Sequence, residues 1–135
     1  MPRRQCSQEE NIFRAIHAAH WDMNEGENRK SSAIFKGANI SVGRLSVLAV
    51  EELFAIFHRK LDGSPNGVIV AAGEINVGSL ERIGREYQTR PTELTVEEDP
   101  EEDNPAHAVI PQTINRGLAR VIIASLIIHN DPRPA

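Results

Sequence analysis

The sequence predicts an α+β fold in which a small mixed or antiparallel sheet packs against two main helices. Residues 47–61 place apolar side chains on one side of a helix and charged side chains on the other. Residues 67–72, GVIVAA, have the continuous apolar and β-branched character of a buried strand. Residues 113–129 are apolar around most of a second helix. Helices that flank a buried strand indicate a sheet with helices packed on it.

The N-terminal segment leaves helix and strand open. Residues 1–7 are polar and predict a frayed terminus, after which Ser7 and Glu10 have the spacing of a helix capping box. Apolar residues at near-helical intervals favour an amphipathic helix over residues 8–20. The alternative is a strand over residues 11–17, which would place Ile12, Arg14 and Ile16 on one face and Phe13, Ala15 and His17 on the other.

The remaining elements are short. Gly37 and Gly43 punctuate two brief apolar runs, and Leu94 and Val96 alternate with polar neighbours as in an edge strand. Gly84 weakens a short helical pattern that follows the buried strand. We therefore expect a polar loop over residues 22–30, strands over 32–36, 39–42, 93–97 and 107–110, and a helix over 79–87.

Length, charge and cysteine content limit the classes of protein that fit. At 135 residues the chain has the size of one domain, 1–135, which can fold without disulfides. Its single cysteine, Cys6, and the lack of a signal-like or membrane-spanning apolar run predict a cytoplasmic protein that does not enter a membrane. A net charge of -4 argues against non-specific nucleic-acid binding, which needs a basic surface.

An acidic segment and the last helix are the predicted contact surfaces. Like charges repel one another over residues 98–104 and predict a solvated loop or a contact for a basic partner. The helix over 113–129 is apolar nearly all round at 121–128, so it is either deeply buried or half of an interface with a protein partner or a second copy. Neither a glycine-rich phosphate loop nor a zinc signature occurs, and we expect no cofactor and no metal.

Polar residues near the N-terminus and one later histidine are the candidates for chemistry. Histidines suit general acid and base roles near neutral pH, while lysine and arginine hold anions and stabilise developing charge. Serines donate hydrogen bonds or act as nucleophiles, although none here lies in a GxSxG elbow. Each residue also has a structural alternative, such as pairing with an acid or entering a strand. The candidates are His17, His107 and Ser32 for catalysis, and Arg14, Ser31, Lys36, Ser41 and Arg44 for ligand binding.

Four stretches resemble a recurring signature of short, uncharacterised bacterial proteins. They are FRAIH at 13–17, SSAIFK at 31–36, ISV at 40–42 and NPAHA at 104–108. The resemblance supplies no activity, but it implies that the polar residues of these stretches belong together and that residues 11–17 are extended. A looser similarity links the chain to ADP-ribosyltransferase-like domains, whose roles would fall on Arg14 or His17, Ser32 and Glu74.

Two functions fit these observations. The first is a small cytoplasmic bacterial accessory or interaction protein that binds an anionic ligand or docks a protein partner through the helix over 113–129. The acidic net charge and the lack of a strong catalytic motif favour it. The alternative is a small metal-independent enzyme acting on a phosphate-containing or nucleotide substrate, phosphodiesterase-like or ADP-ribosyltransferase-like. The clustering of Arg, His, Ser and Lys in one region favours this alternative.

Overall fold

The structure, a computed structural model, describes residues 3–22 and 29–131. These described residues form a six-stranded antiparallel sheet, a two-stranded ribbon and three α-helices, which confirms the α+β prediction and makes the sheet antiparallel. The sheet has the strand order β6-β7-β4-β1-β5-β8. The strands are β1 (Asn11–His17), β2 (Trp21–Asp22), β3 (Arg29–Lys30), β4 (Ile40–Arg44), β5 (Ile69–Asn76), β6 (Glu97–Glu98), β7 (His107–Ile110) and β8 (Ile127–Asn130), and the helices are α1 (Val50–Leu61), α2 (Val77–Glu86) and α3 (Arg116–Ala124).

Strand β1 lies in the middle of the sheet, and the helix favoured over residues 8–20 is wrong. Ile12 and Ile16 are buried in the core on one face of the sheet, and Phe13 and Ala15 in the core on the other. Both faces of β1 are therefore apolar, and two interleaved apolar rows imitate the spacing of an amphipathic helix. The alternative strand over residues 11–17 is correct.

Helices cover both faces of the sheet. On one face α1 packs Leu53, Phe54 and Phe57 around Phe13, whose ring lies 5.5 Å from that of Phe54 and 6.1 Å from that of Phe57. On the other face α2 and α3 cover Ile12 and its neighbours. None of the helices in the described parts of the chain is long and apolar enough to cross a membrane.

Residues ahead of β1 and after β3 differ from the predictions. The backbone amide of Cys6 donates to the Val96 carbonyl at 2.8 Å, so this part of the expected frayed terminus is anchored to the sheet edge. Residues 1 and 2 lie outside the described residues, as do residues 23–28 of the expected loop, which β2 and β3 flank. The strand expected at 32–36 is instead a 3₁₀ turn, Ser32–Ile34, because the Ser31 hydroxyl accepts from the Ala33 amide at 3.1 Å and caps it.

The C-terminal segment is a shorter helix followed by a strand, so the single helix over 113–129 is wrong. Helix α3 ends at Ala124, and β8 then pairs antiparallel with β5, with Ile128 opposite Gly73. The buried strand expected over residues 67–72 continues past Gly73, because β5 spans Ile69–Asn76. The Leu126 side chain packs over Gly73, where a Cβ atom would lie 2.6 Å from Leu126 Cδ1. The expected strand at 93–97 is reduced to β6, Glu97–Glu98.

Candidate functional site

The sheet opens between β1 and β4. In the described strands these two pair only at Ile12 with Arg44 and at Phe13 with Gly43, whereas β1 pairs with β5 along its whole length. The Arg14 guanidinium occupies the gap: its Nε donates to the Ile34 carbonyl and its Nη1 to the Ser41 carbonyl, each at 2.8 Å. One arginine side chain thus links β1 to β4 and to the 3₁₀ turn, at a position where the two strands do not pair.

A pocket of about 350 Å³ lies at this opening. Its volume is near the lower end of the ~300–1,000 Å³ typical of small-molecule sites. The end of α1 supplies an apolar wall, and the acidic segment after β6 closes one side. The lining residues are Arg14, Ala15, His17, Ser41, Val42, Ile56, Phe57, Lys60, Leu61, Glu101, Asn104 and His107.

Arg14 is one of two cationic side chains in the lining of this pocket, and Lys60 is the other. Burial lowers the pKa of its guanidinium to about 10, so it stays charged at neutral pH. Both hydrogen bonds go to neutral carbonyls, and among residues 3–22 and 29–131 no carboxylate pairs with it. A partly buried charge without a counter-charge is unfavourable. The pocket therefore favours a ligand that brings negative charge to Arg14.

His107 on β7 and Ser41 on β4 are diagonal neighbours on adjacent strands, since His107 lies opposite Gly43 and Ser41 lies opposite Val109. His107 Nδ1 lies 2.9 Å from the Asp99 carbonyl and 3.2 Å from Asp99 Oδ2. Both partners are acceptors, so in the neutral ring Nδ1 carries the proton and Nε2 has a free lone pair. Nε2 lies 3.1 Å from Ser41 Oγ and accepts its proton in a hydrogen bond. Asp99, His107 and Ser41 are therefore arranged as an orienting group, a base and a hydroxyl.

His17 is oriented in the same manner from the end of β1. Its Nδ1 lies 2.8 Å from the Gly67 carbonyl, so the neutral ring donates there and leaves Nε2 as an acceptor. The ring of His20 lies 5.9 Å away, and burial, with His17 and Arg14 nearby, lowers the pKa of His20. No group of three or more His, Cys, Asp and Glu side chains in the described residues is arranged to hold a metal ion.

The acidic segment is tied to α1 at the pocket rim. Lys60 Nζ lies 2.8 Å from Asp103 Oδ1 and 3.0 Å from Glu101 Oε1, and these hydrogen bonds raise the pKa of the Lys60 ammonium. Asn104 is buried, and its Oδ1 accepts from the Ala106 amide at 3.1 Å. The NPAHA stretch thus contains a turn that positions His107. Asparagine followed by proline is typical of turns, so the sequence indicates this structural role for Asn104.

Several predicted residues lie elsewhere. Arg44 is held by Glu10 at 2.8 Å and Glu98 at 3.1 Å, so its charge is already neutralised. Ser31 caps the 3₁₀ turn, which begins at Ser32, and Lys36 is exposed. The pocket lining does not include these four residues, Arg44, Ser31, Ser32 and Lys36. Glu74 is bonded to Asn11 at 2.6 Å and to His129 at 2.7 Å.

The pocket unites residues from distant parts of the chain. Four of the predicted site residues line it: Arg14, His17, Ser41 and His107. Sequence reasoning missed Asp99, Lys60, Glu101 and Asn104, whose positions depend on how the acidic segment folds back on α1. Comparisons of the chain with protein-family models, with curated proteins and with solved structures found no match.

Proposed function

We propose that the pocket binds a small molecule through an anionic group, with phosphate as the favoured chemistry, held by Arg14. The observation that carries this proposal is a partly buried guanidinium at the opening of the sheet that, among the described residues, has no carboxylate partner. The protein would be a small cytoplasmic bacterial accessory protein, in keeping with its single, buried cysteine.

Phosphate suits the groups around Arg14. It presents several acceptor oxygens to the guanidinium, and arginine recognises such oxygens through more than one N–H group. The apolar wall formed by Ile56, Phe57 and Leu61 would cover an organic substituent next to the phosphate. A phosphate monoester with a small apolar group therefore fits better than free inorganic phosphate.

Calorimetric titration with phenyl phosphate tests this proposal. We expect saturable binding to the wild-type chain, and a ~10-fold or larger rise in Kd for Arg14→Gln, because a hydrogen bond to a charged group contributes about 1.5–3 kcal/mol. Arg85→Gln is the matched control, since Arg85 is exposed on α2 and should leave Kd unchanged. Equal Kd values for the wild type and Arg14→Gln, at similar thermal midpoints, would reject the site.

A second candidate is association through the C-terminal segment. Helix α3 buries Leu118, Ala119, Ile122 and Ile123, but Ile127 at the start of edge strand β8 is 62% exposed and Val121 is 43% exposed. An exposed apolar side chain on an edge strand favours pairing with a second copy of the chain. Sedimentation should show a dimer, and Ile127→Asp should dissociate it. Val68→Asp changes an exposed valine outside this segment and should leave the dimer intact. A wild-type monomer at all concentrations would rule out self-association.

A further inference from the structure

The geometry points to Ser41 as a nucleophile toward phosphorus, with His107 as its base and Asp99 as the group that orients the base. This inference rests on the proposed binding of a phosphate group at Arg14 and extends it from binding to reaction. Ser41 replaces Ser32, the serine that the sequence favoured, because Ser41 lines the pocket and contacts a histidine.

A serine hydroxyl is a weak nucleophile unless an adjacent base takes its proton, and that base must present the correct nitrogen. His107 meets this condition, because Nδ1 is bonded to Asp99 and Nε2 is 3.1 Å from Ser41 Oγ. The backbone fixes the pair further: the Asp99 amide donates to the His107 carbonyl at 3.0 Å. Asp99 therefore holds both the backbone and the imidazole ring of His107, and this fixes the position from which the base reaches Ser41.

Arg14 lies where negative charge would develop. Its Nη1 donates to the backbone carbonyl of Ser41, so the cation contacts the same residue that carries the nucleophilic oxygen. Charge that accumulates on the non-bridging phosphoryl oxygens during attack is stabilised by such a fixed cation. The other two candidate serines lack this combination of a histidine base and a cation. Ser31 caps the 3₁₀ turn and Ser32 begins it, and neither lines the pocket.

The reaction class is hydrolysis of a phosphate ester in two steps. In the first, Ser41 Oγ bonds to phosphorus, the bond from phosphorus to the leaving oxygen breaks, and the serine proton passes to His107 Nε2. His107 Nε2 passes this proton to the leaving oxygen, which departs as the alcohol, so His107 is neutral again before the second step. In the second, water attacks phosphorus with His107 as base, the bond to Ser41 breaks, and serine regains a proton. Overall, one ester and one water give one alcohol and one phosphate.

Labelling with an alkyl fluorophosphonate tests the nucleophile directly. Attack by Ser41 forms an Oγ–phosphorus bond and releases fluoride, with the serine proton taken up by His107 or solvent. Intact mass should show one adduct on the wild-type chain, and peptide mapping should place it on Ser41. Ser41→Ala should carry no adduct. Ser46→Ala, at another exposed serine beside β4, should label at the wild-type rate.

Variants of the other two residues separate their roles. His107→Gln should lower the labelling rate by ~100-fold or more, the range of general base catalysis. Asp99→Asn should lower it less, because the Asp99 carbonyl still accepts from His107 Nδ1. Asp99→Glu should recover part of the lost rate, which a purely structural defect would not allow. Thermal midpoints of the three variants serve as the folding control.

The outcomes distinguish this inference from the binding proposal. Phenyl phosphate should bind Ser41→Ala with a Kd within a few-fold of the wild type, since Arg14 is intact. Binding without any adduct on the folded wild type would overturn the nucleophile and leave the binding site standing. An adduct on a different serine, or an unchanged rate in His107→Gln, would also overturn it. An adduct on Ser41 with no binding of phenyl phosphate would support the nucleophile and reject the anion site at Arg14.

Discussion

Replacing Glu10 by glutamine should remove a large part of the stability of the fold. Glu10 accepts from Arg44 Nε at 2.8 Å, from Arg44 Nη2 at 2.9 Å and from the Ser46 hydroxyl at 2.6 Å. The Arg44 hydrogen bonds, aided by Ser46, lower the pKa of the Glu10 carboxyl from its ordinary 4.5 to about 2. The Glu10 and Arg44 side chains are only 11% and 17% exposed, so solvent screens the pair weakly.

The magnitude follows from the change in pKa. One pKa unit corresponds to about 1.36 kcal/mol, so the ionised Glu10 stabilises the folded state by about 3 kcal/mol at pH 7. Because the folded pKa is the lower one, this contribution is complete well above pH 4.5 and is lost as the pH falls towards 2. At pH 3 about 1 kcal/mol of it should remain.

Urea unfolding of the wild type and Glu10→Gln at pH 7 and pH 3 measures this contribution. We expect a loss of about 3 kcal/mol at pH 7 that shrinks to about 1 kcal/mol at pH 3. Glu86→Gln is the control, because Glu86 is exposed on α2 and its replacement should change stability by less than ~0.5 kcal/mol. A loss that is equal at both pH values would refute the assignment of the stability to the ionised carboxylate.

Two further predictions concern packing and the thiol. In thermal unfolding, Gly84→Ala should destabilise the protein by ~1–3 kcal/mol despite the better helix propensity of alanine, because the new Cβ would lie 2.5 Å from the Thr92 carbonyl oxygen. Gly63→Ala is the control and should be nearly neutral, because a Cβ atom at Gly63 meets open space. Cys6 should resist a disulfide reagent at pH 7 in the native state and react at least ~100-fold faster in urea, because burial raises the pKa of its thiol to about 11; rapid native labelling would contradict this.

Local patterns predicted the elements whose environment is simple. Helix α1 has one buried face and one solvated face, and β7 is bounded by turns, so both were found within a few residues of their ends. Strand β1 was ambiguous because it is covered on both faces, and its two apolar rows resemble a helical pattern. Strand β8 was missed because its pairing with β5 decides its conformation more strongly than the apolar composition it shares with α3.

The candidate site was predicted in part. The residue types of Arg14, His17 and His107 suggested chemistry, and the resemblance of their stretches grouped them with Ser41. The part that could not be predicted depends on the tertiary fold. The opening between β1 and β4 admits the Arg14 side chain, and the return of the acidic segment brings Asp99 to His107. Neither feature has a local sequence signal, because the opening depends on residues far apart in the chain and the contact of Asp99 with His107 depends on how the turn between them folds.

The most direct test of anion binding at Arg14 is an NMR titration of the protein with phenyl phosphate. Side-chain signals of Arg14 Nε and of the His17 and His107 rings should shift together and saturate with a single Kd. The ring of His129, bonded to Glu74 outside the pocket lining, should not respond. Saturable shifts confined to the pocket residues would establish the site, whereas shifts absent there, or found at His129 instead, would contradict it.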